Sequence, residues 1–124
     1  MIKYSAAVTA IGPLTSEFVE AGILVLFGES APEELRDFAI IHDGVELAAP
    51  LEAGDAVWVD ANCFRVLAVG DVANENLKNL GHLVLKFNGQ TTPELPGDVC
   101  VESQPLPPIV VGTVLRIEGD QRPA

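Results

Sequence analysis

The feature that most limits the fold of this chain is its division into short apolar segments, each followed by turn residues such as Gly-Pro, Asp-Gly or Asn-Gly. Such segments are typical of β-strands joined by tight connections. In the first segment, apolar side chains recur at every second position from Ile2 to Ala10, as in a half-buried strand. We predict strands at Ile2–Ile11, Gly22–Phe27, Ala39–His42, Val57–Val59, Phe64–Val69, His82–Phe87, Asp98–Val101 and Thr113–Glu118. This many short strands favours a β-barrel or a β-sandwich.

Two short helices are predicted between the strands. Ser30, followed by Pro32 and Glu33, fits a capping box, which predicts about two helical turns ending at Phe38.

The second predicted helix runs from about Val72 to Leu80. Asp71 is its expected N-cap, and Gly81 stands where a left-handed residue closes a helix. Leu77 and Leu80 are three residues apart, and we expect both to face the core.

Length and charge restrict the classes of function. A chain of 124 residues is expected to form a single domain over 1–124, with 119–124 as a frayed tail. Eighteen acidic residues against seven basic ones give a net charge of −11, which argues against nucleic acid and against an anionic membrane surface as partners. A basic protein partner is compatible with this charge. No stretch is typical of a signal peptide or a membrane span, so a cytoplasmic protein without membrane insertion is expected.

Several catalytic and binding motifs are missing from the sequence. It contains no phosphate-binding GxxxxGK[ST] or GxGxxG loop, no GxSxG elbow and no HExxH pair. Two histidines and scattered carboxylates show no spacing that suggests a metal site. We therefore expect neither a cofactor nor a bound metal.

The chain has two histidines, and both stand at ends of predicted strands. His42 precedes the turn pair Asp43-Gly44, and His82 follows Gly81. An imidazole is a nucleophile near neutral pH, although a histidine at a strand end can equally well be a packing residue. In a small barrel the two rings could meet at one rim or lie on opposite rims. If they meet, His42 could hold a phosphoryl group while His82 supports it with a hydrogen bond.

The sequence resembles the glucitol/sorbitol-specific IIA components of the bacterial phosphoenolpyruvate-dependent sugar phosphotransferase system (PTS). The resemblance extends from about Lys3 to Glu118. It rests on Ile40-Ile41-His42 with Glu46-Leu47, on the long block from Ala68 to Gly89, on Leu95-Pro96-Gly97 and on Gly112-Thr113-Val114-Leu115.

Membership of that family would imply a mostly β fold, a small closed or nearly closed β-barrel with two short helices. It would also imply a phosphotransferase component in which His42 accepts a phosphoryl group from the carrier HPr, with His82 in a supporting role. The group would then pass to the IIB component of the IIB/IIC glucitol/sorbitol permease, which phosphorylates the hexitol during uptake.

One position departs from the family pattern. The family can carry a further histidine two residues after the reactive one, where this chain has Gly44. A second imidazole would therefore have to come from His82. Ahead of His42, the acidic residues Glu29, Glu33, Glu34 and Asp37 could form a rim that attracts HPr or could be a solvated helix face.

Two other functions remain open from the sequence. The first is a non-catalytic β-barrel module for interaction or regulation, which kept the fold and lost the chemistry. The second is a small metal-dependent enzyme, for which the sequence offers the weakest support.

Overall fold

The computed structural model describes residues 1–119 and contains eight strands and three short helices. The strands are β1 Ile2–Ile11, β2 Ile23–Gly28, β3 Ile40–His42, β4 Ala56–Val59, β5 Asn62–Val69, β6 Leu83–Lys86, β7 Asp98–Val101 and β8 Val114–Glu118. The helices are α1 Ser16–Glu20, α2 Glu33–Arg36 and α3 Ala73–Leu80. All eight predicted strands are present, with ends that differ by at most two residues. The prediction of a frayed tail lies, for residues 120–124, outside the described residues.

The strands form a closed barrel in the order β1-β3-β2-β6-β7-β5-β4-β8, which confirms the predicted fold class. Closure depends on the length of β1, whose first half pairs with β8 and whose second half pairs with β3, antiparallel in both cases. The pairs β2–β3 and β6–β7 are parallel, and each is joined through a crossover rather than a hairpin. A closed sheet has no free edge, so every strand has a hydrogen-bonded neighbour on each side.

The core fills the barrel along the predicted alternation of β1. Tyr4, Ala6 and Val8 are buried in it, while Ile2 is exposed. The register of β1 shifts between Val8 and Ala10, so Ala10 packs outside the barrel against a second, smaller cluster. That cluster consists of Phe27, Ala31, Ala39 and Ile41. Because neighbouring residues of a strand point to opposite faces, β2 and β3 are apolar on both sides.

The helix α2 begins later than the sequence indicated. Its N-cap is Pro32, and no side chain caps it, so the capping box predicted at Ser30 is not formed. Arg36 instead donates from its guanidinium group to the backbone carbonyls of Ala31 and Glu29, which fastens the segment that crosses from β2 to β3.

The helix α3 ends as predicted but begins and packs differently. Gly81 closes it with a φ of 63°, in the left-handed region. The N-cap is Val72 rather than Asp71 and makes no side-chain hydrogen bond. Leu77 is buried in the core as expected, whereas Leu80 is 48% exposed and does not face the core. The longest helix among residues 1–119 has eight residues, and none is long and apolar enough to cross a membrane.

The irregular segment between β3 and β4 is tied down at three points. The Lys3 ammonium group pairs with Asp55 at 2.8 Å and donates to the carbonyl oxygen of Pro50 at 2.7 Å. The Asn74 side chain bonds both backbone groups of Leu51, at 2.7 and 3.1 Å. These bonds fix the end of the segment that leads into β4, residues 50–55.

The short helix α1 was not predicted. It has five residues, too few to show a helical period in the sequence, and only Val19 packs against the core.

Candidate functional site

His42 is the last residue of β3, and its ring lies at one end of the barrel interior. It is paired across β3 with Val8 of β1 and with Gly28 of β2. The side chain is only 1% exposed. The ring lines a small interior cavity together with core residues such as Leu26 and Leu83, so it points to the core side of the sheet.

Both ring nitrogens of His42 have backbone partners. The Gly44 N–H donates to Nδ1 at 3.0 Å, and Nε2 lies 2.7 Å from the carbonyl oxygen of Gly81. A carbonyl oxygen only accepts and a backbone N–H only donates, so in the neutral ring the proton is on Nε2 and the lone pair is on Nδ1. The backbone thus selects one tautomer and one ring orientation.

Glycine is required at both of these backbone positions. A Cβ atom at Gly81 would lie 2.8 Å from the backbone nitrogen of Gly28 and 3.1 Å from Cε1 of His42. A Cβ atom at Gly44 would lie 2.6 Å from the Tyr4 ring. Sequence analysis identified Gly81 only as the end of a helix and Gly44 only as part of a turn. Neither pattern reveals that both residues are packed around the same imidazole.

Tyr4 is a site residue that sequence reasoning assigned only to the core. Its ring meets the His42 ring edge to face, with 5.8 Å between centroids and 87° between planes. Burial raises the pKa of the Tyr4 hydroxyl, and the charge of Asp43 raises it further. The phenol is therefore neutral at physiological pH.

The pKa of His42 is lowered from its ordinary value of 6.5, mainly because burial penalises the charged ring. The hydrogen bond to Gly81 and the charges of Asp43 and Glu29 act in the opposite direction without reversing the shift. Asp43 itself accepts the backbone N–H of Ala7 at 2.7 Å, so its side chain also extends the pairing of β1 and β3. At neutral pH the His42 ring is uncharged, as a nucleophile must be.

A cleft of about 280 Å³ opens beside His42 between β2, the segment after β3 and the end of α3. Its polar lining includes Glu29, Ser30 and Asp43, and Lys78 is the only cation among the described residues that line it. Val45 and Leu80, both exposed apolar residues, stand at the same opening. The cleft therefore combines an anionic wall, one lysine and an apolar margin.

His82 lies beside the site without touching the His42 ring. Its own ring stacks on Phe27 with 4.1 Å between centroids, and its Nδ1 bonds the carbonyl oxygen of Leu26 at 3.0 Å. Phe27 belongs to the cluster outside the barrel, whereas His42 faces the interior. Within residues 1–119, no hydrogen bond or ring contact joins the two imidazoles. The link between them is the Gly81–His82 peptide, whose carbonyl oxygen is the partner of Nε2 of His42.

The acidic residues ahead of His42 are exposed, as a rim requires, but only one of them reaches the cleft. Glu29 lines it, whereas Glu33, Glu34 and Asp37 lie on or directly after α2 and do not. In residues 1–119, no group of three or more His, Cys, Asp or Glu side chains is arranged to hold a metal ion.

Comparison with known proteins gives a consistent result. The sequence profile of the family "PTS system glucitol/sorbitol-specific IIA component" matches residues 3–116. Two proteins named "PTS system glucitol/sorbitol-specific EIIA component", from Shigella flexneri and Escherichia coli (strain K12), are each 35% identical over 118 residues. In both cases the match covers 95% of this chain and 96% of the relative. The crystal structure of a PTS system IIA component from Enterococcus faecalis V583 superposes with a TM-score of 0.78 at 28% identity, over 90% of this chain and 96% of the other.

Proposed function

Because the chain belongs to the family of glucitol/sorbitol-specific IIA components of the PTS, we propose that His42 is the residue on which it carries the phosphoryl group. A phosphoryl-carrier role in a sugar PTS follows from the family itself. The observation that supports His42 as the carrier is its ring, held neutral and in one tautomer by two backbone hydrogen bonds at the wall of a cleft. A carrier needs an oriented lone pair rather than a strong base, because phosphoryl transfer depends mainly on positioning and charge.

The attacking atom in this proposal is Nδ1, the nitrogen that carries the lone pair. For Nδ1 to attack, its hydrogen bond from the Gly44 N–H must break. Gly44 lies in a segment without regular structure, so no strand or helix has to be disrupted. The shorter bond from Nε2–H to Gly81 can persist throughout. A P–N bond forms at Nδ1 while the P–N bond of the donor phosphohistidine breaks, and the donor ring keeps the electron pair. No proton has to leave His42 before it attacks.

The charges in the cleft favour onward transfer. Asp43 and Glu29 are close enough to affect the pKa of His42, so they also repel a phosphoryl dianion on its ring. Lys78 is the only counter-charge among the described residues that line the cleft. With two repelling carboxylates and one lysine, His42 can accept the phosphoryl group and can also release it readily, as an intermediate carrier must.

The proposed partners are HPr as phosphoryl donor and the IIB component of a IIB/IIC glucitol/sorbitol permease as acceptor. The net charge of −11 would attract a donor that carries basic residues around its phosphohistidine. Val45, which is 92% exposed, and Leu80 offer a small apolar contact at the cleft opening, as a transient complex needs. We place the protein in the cytoplasm, where it would exchange the phosphoryl group with HPr and the IIB component.

His82 has a supporting role in this proposal through the backbone. Its stacking on Phe27 and its bond to Leu26 hold the peptide that presents the Gly81 carbonyl to His42. It is a positioning residue, and its loss should slow phosphorylation without abolishing it.

One observation favours a second candidate, a non-catalytic interaction module. The near-complete burial of His42, with a partner for each nitrogen, is also what a packed structural histidine shows.

The test is phosphorylation by phosphoenolpyruvate, enzyme I and HPr, followed by intact mass. The comparison includes the unmodified chain, His42→Gln and His82→Gln, with a proven IIA component as positive control. We expect one acid-labile phosphoryl group on the unmodified chain, a slower gain on His82→Gln and none on His42→Gln. No gain on the unmodified chain, while the control is labelled, would leave the interaction module as the remaining candidate.

A further inference from the structure

We infer that the Tyr4 hydroxyl is a catalytic group that donates a hydrogen bond to the phosphoryl oxygens while His42 accepts and releases the phosphoryl group. This inference rests on the proposed function and adds to it a residue that no motif or family pattern identified in the sequence.

The position of the hydroxyl follows from three contacts. The Tyr4 ring meets the His42 ring edge to face. The hydroxyl end of Tyr4 packs against Gly44, since a Cβ atom there would lie 2.7 Å from Oη. The N–H of that same glycine is bonded to Nδ1 of His42. The hydroxyl is therefore on the Nδ1 side of the imidazole, where the phosphoryl group would form.

The hydroxyl is also unused in the structure. Tyr4 is only 6% exposed, yet within residues 1–119 its Oη makes no hydrogen bond. The oxygen itself is not enclosed: the fully buried side-chain N or O atom without a partner in this part of the chain is Trp58 Nε1, so Oη of Tyr4 is open to the cleft. Because Tyr4 lines the cleft beside His42, a ligand oxygen in that cleft can accept a hydrogen bond from its hydroxyl in place of water.

The Tyr4 hydroxyl would stabilise the charge that develops during phosphoryl transfer. During phosphoryl transfer, negative charge is spread over the three equatorial oxygens of the group. A neutral hydroxyl fixed in place stabilises that charge without adding a competing positive charge to the cleft. The flexible ammonium group of Lys78, which is exposed, is less well fixed for the same task. Tyr4 is held rigid by the core and by its contact with His42.

The experiment compares the full chain with Tyr4→Phe, which removes only the hydroxyl. Phosphorylation by phospho-HPr is followed in rapid-quench single turnovers, and the rate of transfer back to HPr is measured on the same samples. Phe64→Leu is the matched control, because it weakens the core at another aromatic residue and leaves Tyr4 intact. Thermal unfolding reports the stability of each variant.

We expect Tyr4→Phe to slow transfer in both directions by about 10- to 100-fold, the effect of losing one hydrogen bond to a charged group. Phe64→Leu should transfer at the unmodified rate. Unchanged transfer in Tyr4→Phe would overturn the inference, and so would an equal loss in both variants. Failure of the unmodified chain to become phosphorylated would instead refute the proposed function, so the two failures can be told apart.

Discussion

Replacing Gly81 with alanine should disturb both the fold and the chemistry of His42. The residue has a φ of 63°, and its Cβ would overlap the backbone of Gly28 and approach Cε1 of His42. Two separate penalties therefore apply. A non-glycine residue at positive φ costs about 1–3 kcal/mol. Forcing an extra atom into a packed region costs about 1–3 kcal/mol more.

Gly112→Ala separates the two penalties. Gly112 also has a positive φ, of 97°, but nothing lies within 4 Å of the position its Cβ would take. Both variants place alanine at a positive φ, and only Gly81→Ala has the overlap. The free energies of unfolding should therefore differ by about 1–3 kcal/mol. With an m-value of about 2 kcal/mol/M, a difference of 2 kcal/mol separates the urea midpoints by about 1 M.

The chemical consequence can be followed in the same samples. Relief of the overlap moves the Gly81 carbonyl away from Nε2 and releases the tautomer that the 2.7 Å bond selects. We expect slower phosphorylation of Gly81→Ala under conditions in which it is fully folded, and an unchanged rate for Gly112→Ala. Equal urea midpoints together with equal phosphorylation rates would refute the packing of Gly81 against His42 as a determinant of the site.

Three further predictions concern the charges around His42. Folding lowers the pKa of His42 from its ordinary value of 6.5, so the unfolded state binds more protons as the pH falls. The stability that this shift contributes is therefore fully present above pH 6.5 and is lost at lower pH. Urea unfolding from pH 7.5 to 5 should show the stability of the unmodified chain falling relative to His42→Gln, and a constant difference would contradict the assigned shift. Asp43→Asn should lower the pKa of His42 further, because the charge of Asp43 raises it, and an NMR titration that shows no change or a rise would be the opposite result. Lys78→Gln should slow phosphorylation by a few-fold, roughly the effect of losing a favourable charge at the surface, and rapid-quench rates equal to those of the unmodified chain would remove Lys78 from the site.

The barrel could be predicted largely from local pattern. Each strand is a short apolar segment bounded by turn residues, and this signal does not depend on distant parts of the chain. The errors lie where tertiary contacts override the local pattern. The predicted capping box at Ser30 gave way to a segment held by Arg36, and Leu80 is exposed although its spacing from Leu77 is that of a buried pair.

The sequence identifies only part of the candidate site. His42 could be singled out because a reactive side chain at a strand end before an Asp-Gly turn is visible in the sequence. Its surroundings come from residues that are distant in the chain, namely Tyr4 in β1 and Gly81 after α3. Which face of the sheet His82 occupies depends on the pairing of β2 with β6, and no spacing in the sequence encodes it.

The most direct test of the central claim is a phosphorus–nitrogen NMR correlation on the phosphorylated protein, labelled with ¹⁵N at its histidines. We predict that phosphorus is bonded to Nδ1 of His42, that Nε2 of the same ring keeps its proton, and that the His82 ring carries no phosphorus. Phosphorus bonded to His82, or to neither histidine, would contradict the assignment of His42 as the carrier.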